Sequence, residues 1–309
     1  MPLLLKIFYR LKSLIPRFLQ LLLRRMLVAR QLKRHSDVWP IDPAAGQPPS
    51  GWKGWPDGKR FALVLTHDVE TKRGHDRCRL LLEREARLEF RSAFNFVPKR
   101  YDVSPALRHF IASSGFEVGV HGLYHDGKYF ESRGEFLRRA QEINRYLKEW
   151  EAVGYRTPSM HHKLDWILDL DILYDESMFD TDPFEPYADG VGTIFPFWFG
   201  GGDGRKRGYV ELPYTLPQDF TPFILMRESN NEIWKKKLDW IAEKGGMALL
   251  NTHPDYMCFD GGRLRSEEYP VSNYIGLLEY IKSRYSGQYW HVLPREMADF
   301  WIRAMVKEA

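Results

Sequence analysis

The sequence holds two cysteines in 309 residues, Cys78 and Cys258, and no C-x-x-C pair. A disulfide framework and a cysteine-based zinc ribbon are both excluded. Nowhere near the N terminus is there an uncharged apolar run of the ~18–20 residues that a membrane-spanning helix needs. The longest apolar stretch there lies around Phe18–Leu23, and no small-residue cleavage site follows it. No G-x-G-x-x-G or G-x-x-x-x-G-K-[ST] follows an early strand, so nucleotide binding has little support. Internal repeats of fixed period are also missing. Residues 1–35 contain no acid at all, against nine Lys/Arg, so the net charge of +4 leaves −5 for the remainder. The main body is mildly acidic, which argues against nucleic-acid binding.

What is present begins with that basic segment. Lys6, Arg10, Ser13, Arg17, Gln20 and Arg24 recur at three- and four-residue spacing, while Leu4, Ile7, Leu11, Leu14, Phe18 and Leu22 fall mostly opposite. The pattern predicts a basic amphipathic helix over residues 1–35, interrupted near Pro16 and suited to lying in the plane of an anionic membrane surface. The basic excess favours the cytoplasmic face of a bacterial inner membrane. Packing on its own domain or on a partner subunit is the alternative. Residues 36–59 hold five prolines and four glycines and read as a linker or wrapping segment, with Trp39, Trp52 and Trp55 as points that pack down. The globular domain is expected over residues 60–309.

From Phe61 onward, strand-like and helix-like segments alternate. Strands are expected at Phe61–Leu65, Ala93–Val97, Phe116–Val120, Val153–Arg156, Ile172–Tyr174, Tyr209–Leu212, Met247–Asn251 and Trp290–Leu293. Helices are expected at Arg77–Phe90, Ala106–Ser113, Glu131–Trp150, Leu164–Leu170, Glu232–Glu243, Val271–Tyr285 and Glu296–Val306. Repeated strand–helix units imply an α/β fold with a parallel sheet, and their number suits a TIM-like barrel. The run Gly200-Gly201-Gly202-Asp203-Gly204 reads as a loop or hairpin tip.

Polar clusters fall at the expected strand ends, where barrel enzymes carry their chemistry. Asp68 and Glu70 flank Val69 directly after the first strand, and residues i and i+2 of an extended chain point the same way. Two converging carboxylates call for a cation or a proton between them. The competing reading is a helix cap by Asp68. His121 and His125 can meet on one helical face or across a tight loop, a donor pair suited to zinc. In Arg156-Thr157-Pro158, a buried arginine can hold a carboxylate bidentately. Asp175, Asp180 and Asp182 form an aspartate loop, mostly read as solvated or capping residues. His253, in Leu250-Asn251-Thr252-His253-Pro254, can serve as a general acid if a carboxylate raises its pKa. Trp198 and Phe199 can stack on sugar rings or pack as core.

The order of these motifs resembles the polysaccharide deacetylase superfamily (carbohydrate esterase family 4), which also includes formyl-sugar-lipid deformylases and some amidohydrolases. The resemblance runs from about Phe61 to His253. It implies a distorted (β/α)7 barrel with a divalent metal, usually zinc. By that similarity His121 and His125 are the metal-binding histidines. The commonest opening motif has two adjacent aspartates. Here Val69 separates Asp68 from Glu70, as in a variant group, which makes Asp68 the general base and Glu70 the third ligand. The reverse assignment, or Asp68 in both roles, is the alternative. Arg156 would orient Asp68, and His253 would be the general acid with Asp175 its supporting acid. Ser159 and Met160 replace the usual Tyr-Gly after R-x-P. The expected activity is removal of an N-acyl group, acetyl or formyl, from a sugar of an envelope polysaccharide or lipid-linked glycan. A metal-dependent amidohydrolase on a non-sugar amide and a non-catalytic glycan- or membrane-binding relative are the alternatives.

Overall fold

The computed structural model describes residues 15–200 and 207–306. The expectations for residues 1–14 and for the glycine run at 201–204 lie outside them. The strand β1 (Phe61–Val69) is buried along all nine residues. That explains its nearly continuous apolar sequence, since a strand covered on both faces has no polar side to show. It pairs in parallel with β2 (Ala93–Phe96) through its C-terminal half and with β8 (Met247–Thr252) along Ala62–His67. Its first residues pair with β11 (Tyr289–His291).

From β2 the sheet continues in parallel through β3 (Glu117–Val120), β4 (Gly154–Tyr155), β5 (Tyr174–Asp175) and β7 (Gly208–Glu211). Beyond β7 the chain bridges Leu216 to Leu250 of β8, so the pairings of β1, β2, β3, β4, β5, β7 and β8 run round a closed path. The result is a curled, distorted barrel of the kind expected. β6 (Phe197–Gly200), which the sequence pattern did not mark, pairs antiparallel with β7 as a hairpin. A small outlying pair joins β9 (Met257–Cys258) to β10 (Tyr269–Pro270).

The helix α1 (Arg17–Arg34) precedes the barrel. Around it lie α2 (Lys72–Arg87), α3 (Pro105–Ser113), α4 (Arg133–Glu149), the single turn α5 (Leu164–Ile167), α6 (Glu232–Lys244), α7 (Ser272–Arg284) and α8 (Pro294–Trp301). Capping places several of their starts. Thr71 accepts from the Arg73 N–H at 3.2 Å, so α2 begins five residues before the expected position, and the cap is Thr71 rather than Asp68. Ser132 caps α4 by accepting from the Glu135 N–H. The last helix leaves α geometry after Trp301 and ends in a π-type turn over Ile302–Val306.

Residues 36–59 wrap the base of the barrel. Trp39 and Trp55 are buried, and the Trp55 indole N–H donates to the Gly245 carbonyl at 2.8 Å, at the foot of β8. Trp52 and Trp55 join Phe195, Trp290, Phe300 and Trp301 in one ring cluster. These rings close the end of the barrel opposite the strand termini that carry the polar clusters.

Candidate metal centre and active site

Strand alternation sorts the end of β1. Thr66 and Asp68 face the barrel interior, where both meet Arg156. His67, on the other face, contacts Glu85 of α2 at 2.9 Å and Thr252 at 2.7 Å. Glu70, two residues past Asp68, returns to the same side as Asp68. Its backbone N–H donates to Asp255 at 3.0 Å, and its Oε2 accepts from the Tyr256 hydroxyl at 3.0 Å. Its Oε1 lies 2.9 Å from His125 Nε2.

His121 and His125 meet across a tight loop, with ring centroids 5.5 Å apart. Gly122 between them sits at φ 64°, and a Cβ there would lie 2.5 Å from both Pro158 and the Tyr129 hydroxyl. The buried Tyr129 hydroxyl pins the loop, accepting from the Leu123 and Tyr124 N–H groups and donating to the Tyr124 carbonyl. His121 Nδ1 lies 3.1 Å from the Arg156 carbonyl, which assigns the proton to Nδ1 and leaves Nε2 as a lone-pair donor. Burial pushes His121 down to about 4, so the ring is neutral near pH 7. His125 Nε2 is buried, makes no hydrogen bond, and lies 2.9 Å from Glu70 Oε1. One donor atom each from Glu70, His121 and His125 falls within 4.8 Å of the others. Among the described residues no other group of histidines, cysteines and acids is gathered in this way. Two imidazole nitrogens and one carboxylate oxygen form a donor set that fits a divalent ion with open positions. The three residues expected as ligands are thus the three brought together.

Asp68 lies beside this group. Arg156 Nη1 donates to its Oδ1 at 3.0 Å, Asn95 donates to the same oxygen at 3.2 Å, and Asn251 donates to Oδ2 at 2.8 Å. Burial alone would raise this carboxyl, but Arg156, with His121 and His253, outweighs it and holds Asp68 well below the usual carboxylate range. Arg156 does not grip Asp68 bidentately as expected. Its other nitrogen, Nη2, reaches Glu176 Oε2 at 3.1 Å, so the guanidinium straddles two acids. Burial pushes Glu176 up to about 8 despite that contact.

The supporting acid of His253 differs from expectation. Asp219 Oδ1 lies 2.6 Å from His253 Nδ1, and its Oδ2 accepts from the His253 backbone N–H at 2.8 Å and from the Tyr269 hydroxyl at 2.9 Å. Asp175 is directed instead at Ser177 and Glu211. Burial pushes both carboxyls of the Asp175–Glu211 pair up. The reading of Asp175, Asp180 and Asp182 as solvated is also corrected, because all three are buried and Asp180 pairs with Lys237. The chain return from β7 through Leu216 to β8 is what carries Asp219 under His253, and a lone acid in Gln218-Asp219-Phe220 gives no sequence signal of it. Burial would lower the His253 imidazolium, but Asp219 outweighs burial and pushes it up to about 10. Its Nε2 points between two acids, 4.0 Å from Asp68 Oδ2 and 3.9 Å from Glu70 Oε1.

A cleft of about 500 Å³ is lined by Glu70, His125, His253, Tyr256 and Ser159, with Asp68 and His121 buried behind them. Its aromatic rings are Phe220 and Tyr256. Trp198 and Phe199 lie elsewhere, on the β6–β7 hairpin, where Trp198 covers Gly200 and Gly208 and Phe199 packs on Tyr209. The cleft also takes Arg17 and Arg24 from α1, with the Arg24 guanidinium 4.9 Å from the Phe220 ring.

No family model matches the sequence, and no curated protein matches it. Solved structures do match. One named as a polysaccharide deacetylase from Mycobacterium smegmatis has a TM-score of 0.62 at 19% identity, over 84% of this chain and 96% of that one. Another named as a polysaccharide deacetylase, from Pseudomonas aeruginosa PAO1, has a TM-score of 0.61 at 18% identity, over 86% and 98%. Puue allantoinase has a TM-score of 0.63 at 16% identity, over 86% and 98%. This chain therefore has the fold of the polysaccharide deacetylases, as its motif order led us to expect. At such identities the likeness concerns the fold, and the chemistry rests on the site itself.

Proposed function

We propose that the protein is a metal-dependent hydrolase that removes an N-acyl group from a sugar of an envelope polysaccharide or lipid-linked glycan. The observation that carries this reading is the convergence of three donors, Glu70, His121 and His125, beside an ionised Asp68 and a protonated His253. A divalent ion, zinc by the donor set, would polarise the acyl carbonyl and lower the pKa of water.

The residues of the chain divide the proton work. Asp68, kept ionised by Arg156, accepts a proton from the attacking water. Asn95 and Asn251 hold its two oxygens in place, so its orientation is set before substrate arrives. His253, protonated through Asp219, donates from Nε2 to the leaving nitrogen. An amine leaves poorly unless protonated, so the site needs a base and an acid at once. The contrast between a carboxylate held low and an imidazolium held high provides both at one pH.

The test is metal analysis of the purified protein together with acetate release from an N-acetylated sugar oligomer. One equivalent of zinc that His121→Ala abolishes, along with hydrolysis, supports the reading. A protein that takes up no metal under any preparation and hydrolyses nothing supports a glycan-binding relative instead. A second reading, hydrolysis of a non-sugar amide, draws on the allantoinase likeness. It predicts turnover of small ureido or imide compounds in preference to sugar oligomers.

A further inference from the structure

The helix α1 presents two unlike faces. One is clamped to the barrel. Leu21 and Val28 are buried in the core, Arg25 donates to the Ile224 and Ser266 carbonyls, Gln31 donates to the Pro183 carbonyl, and Arg17 pairs with Glu267. The other face carries Phe18, Leu19, Leu22, Leu23, Met26 and Leu27, all exposed, with Phe18 at 67% and Met26 at 52%. Their spacing places them on one side of the helix. The remaining large apolar side chains exposed among the described residues, such as Leu80, Leu137 and Leu264, are scattered. A contiguous exposed apolar stripe on a helix that is otherwise fixed in place marks an interaction surface.

We infer that this face of α1 docks in the plane of an anionic lipid surface. Charge selects this occupant. No acid occurs in residues 1–35, and Arg30, Lys33 and Arg34 are exposed at the C-terminal end of the same helix. A second copy seated on the stripe would bring two such cationic segments together, whereas anionic headgroups complement them. No helix among the described residues is long and apolar enough to cross a membrane, and Arg24, Arg25 and Arg30 interrupt this one, so it lies along the surface. Because Arg17 and Arg24 of the same helix line the cleft, docking brings the cleft to within about one helix diameter, ~10 Å, of the lipid headgroups. A substrate carried on a lipid then reaches the site without leaving the bilayer. This inference stands apart from the hydrolase reading, because lipid binding needs neither metal nor turnover.

The test uses the full chain in co-sedimentation with vesicles of phosphatidylcholine alone or with about one-third phosphatidylglycerol. Binding to the anionic vesicles is expected to be at least roughly tenfold tighter and to weaken as salt is raised. The variant Leu22→Gln/Leu23→Gln/Met26→Gln is expected to lose that binding while keeping its thermal midpoint and its metal content. Failure to bind either vesicle overturns the inference, as does binding that the triple variant retains. A doubling of mass in light scattering that the variant abolishes, without vesicle binding, overturns it in favour of a second copy. Metal content and hydrolysis of a soluble sugar oligomer are read separately, so failure here leaves the hydrolase reading to its own test.

Discussion

The pairing of His253 with Asp219 gives the sharpest test of the proposed acid. The imidazole rises from its ordinary 6.5 to about 10, which corresponds to ~5 kcal/mol of preference for the charged ring. Burial works against this, so the preference comes from Asp219, with Glu70 and Asp68 adding to it. Asp219→Asn keeps the side-chain shape and can still accept from Nδ1, but removes the charge. Loss of one opposed charge at this range lowers a pKa by about 1–3 units. The alkaline limb of kcat/KM for an N-acetylated sugar oligomer should therefore move down by that amount, since kcat/KM reports the free enzyme. For a drop of about two, hydrolysis falls roughly tenfold at pH 9 and changes little at pH 6.5. The variant also loses acceptors for the His253 N–H and the Tyr269 hydroxyl, so some stability is lost. Tyr269→Phe controls for this by removing the hydroxyl bond while leaving the charge, and should leave the limb in place. An equal fractional loss of activity at every pH, with the limb unmoved, would refute the assignment of His253 as an acid tuned by Asp219.

Three further outcomes follow from the same geometry. Arg156→Met leaves Asp68 buried without its cation, so the acid limb of the pH profile moves up and the fold loses about 3–5 kcal/mol in denaturant titration; Arg156→Lys should return part of the pH profile. Gly119→Ala would place a Cβ 2.0 Å from Asn95 Oδ1, displacing the residue that ties Asp68 to Glu176, at a cost of about 1–3 kcal/mol read as a lowered thermal midpoint. Stability should fall as the solution becomes alkaline. Glu176 rises from 4.5 to about 8 in the fold and His253 from 6.5 to about 10. Each folded group holds its proton where the unfolded one releases it, so their contributions are lost as pH climbs through those two values. A thermal midpoint that rises between pH 7 and 10 would contradict this.

Part of the site was legible in the residues because local rules cover it. Alternation along an extended strand puts Asp68 and Glu70 on one side whatever surrounds them, and a four-residue spacing lets His121 and His125 meet on a helix or, as here, across a loop. Strand ends could be read as sites because a parallel barrel carries its chemistry there. Other features depended on distant contacts. Thr71 rather than Asp68 begins α2, because Asp68 was already engaged by Arg156, a residue 88 positions away in the chain. The hairpin strand β6 has half-exposed, aromatic-rich residues with no clear alternation signal, so its pairing to β7 is set by the partner.

From the sequence alone follow the alternating α/β order, the His121 and His125 pair with Asp68 and Glu70 as the candidate acids beside it, the strand-terminal His253 and the one-sided basic composition of the N-terminal segment. Only the tertiary structure decides that Asp219 rather than Asp175 backs His253, that Arg156 straddles two acids, and that α1 forms a wall of the cleft with its apolar side facing outward. The physical reason is range. Periodicity and capping act over a few residues, whereas the charge felt by a buried imidazole or carboxylate depends on whichever side chains the closed sheet brings within about 4 Å of it.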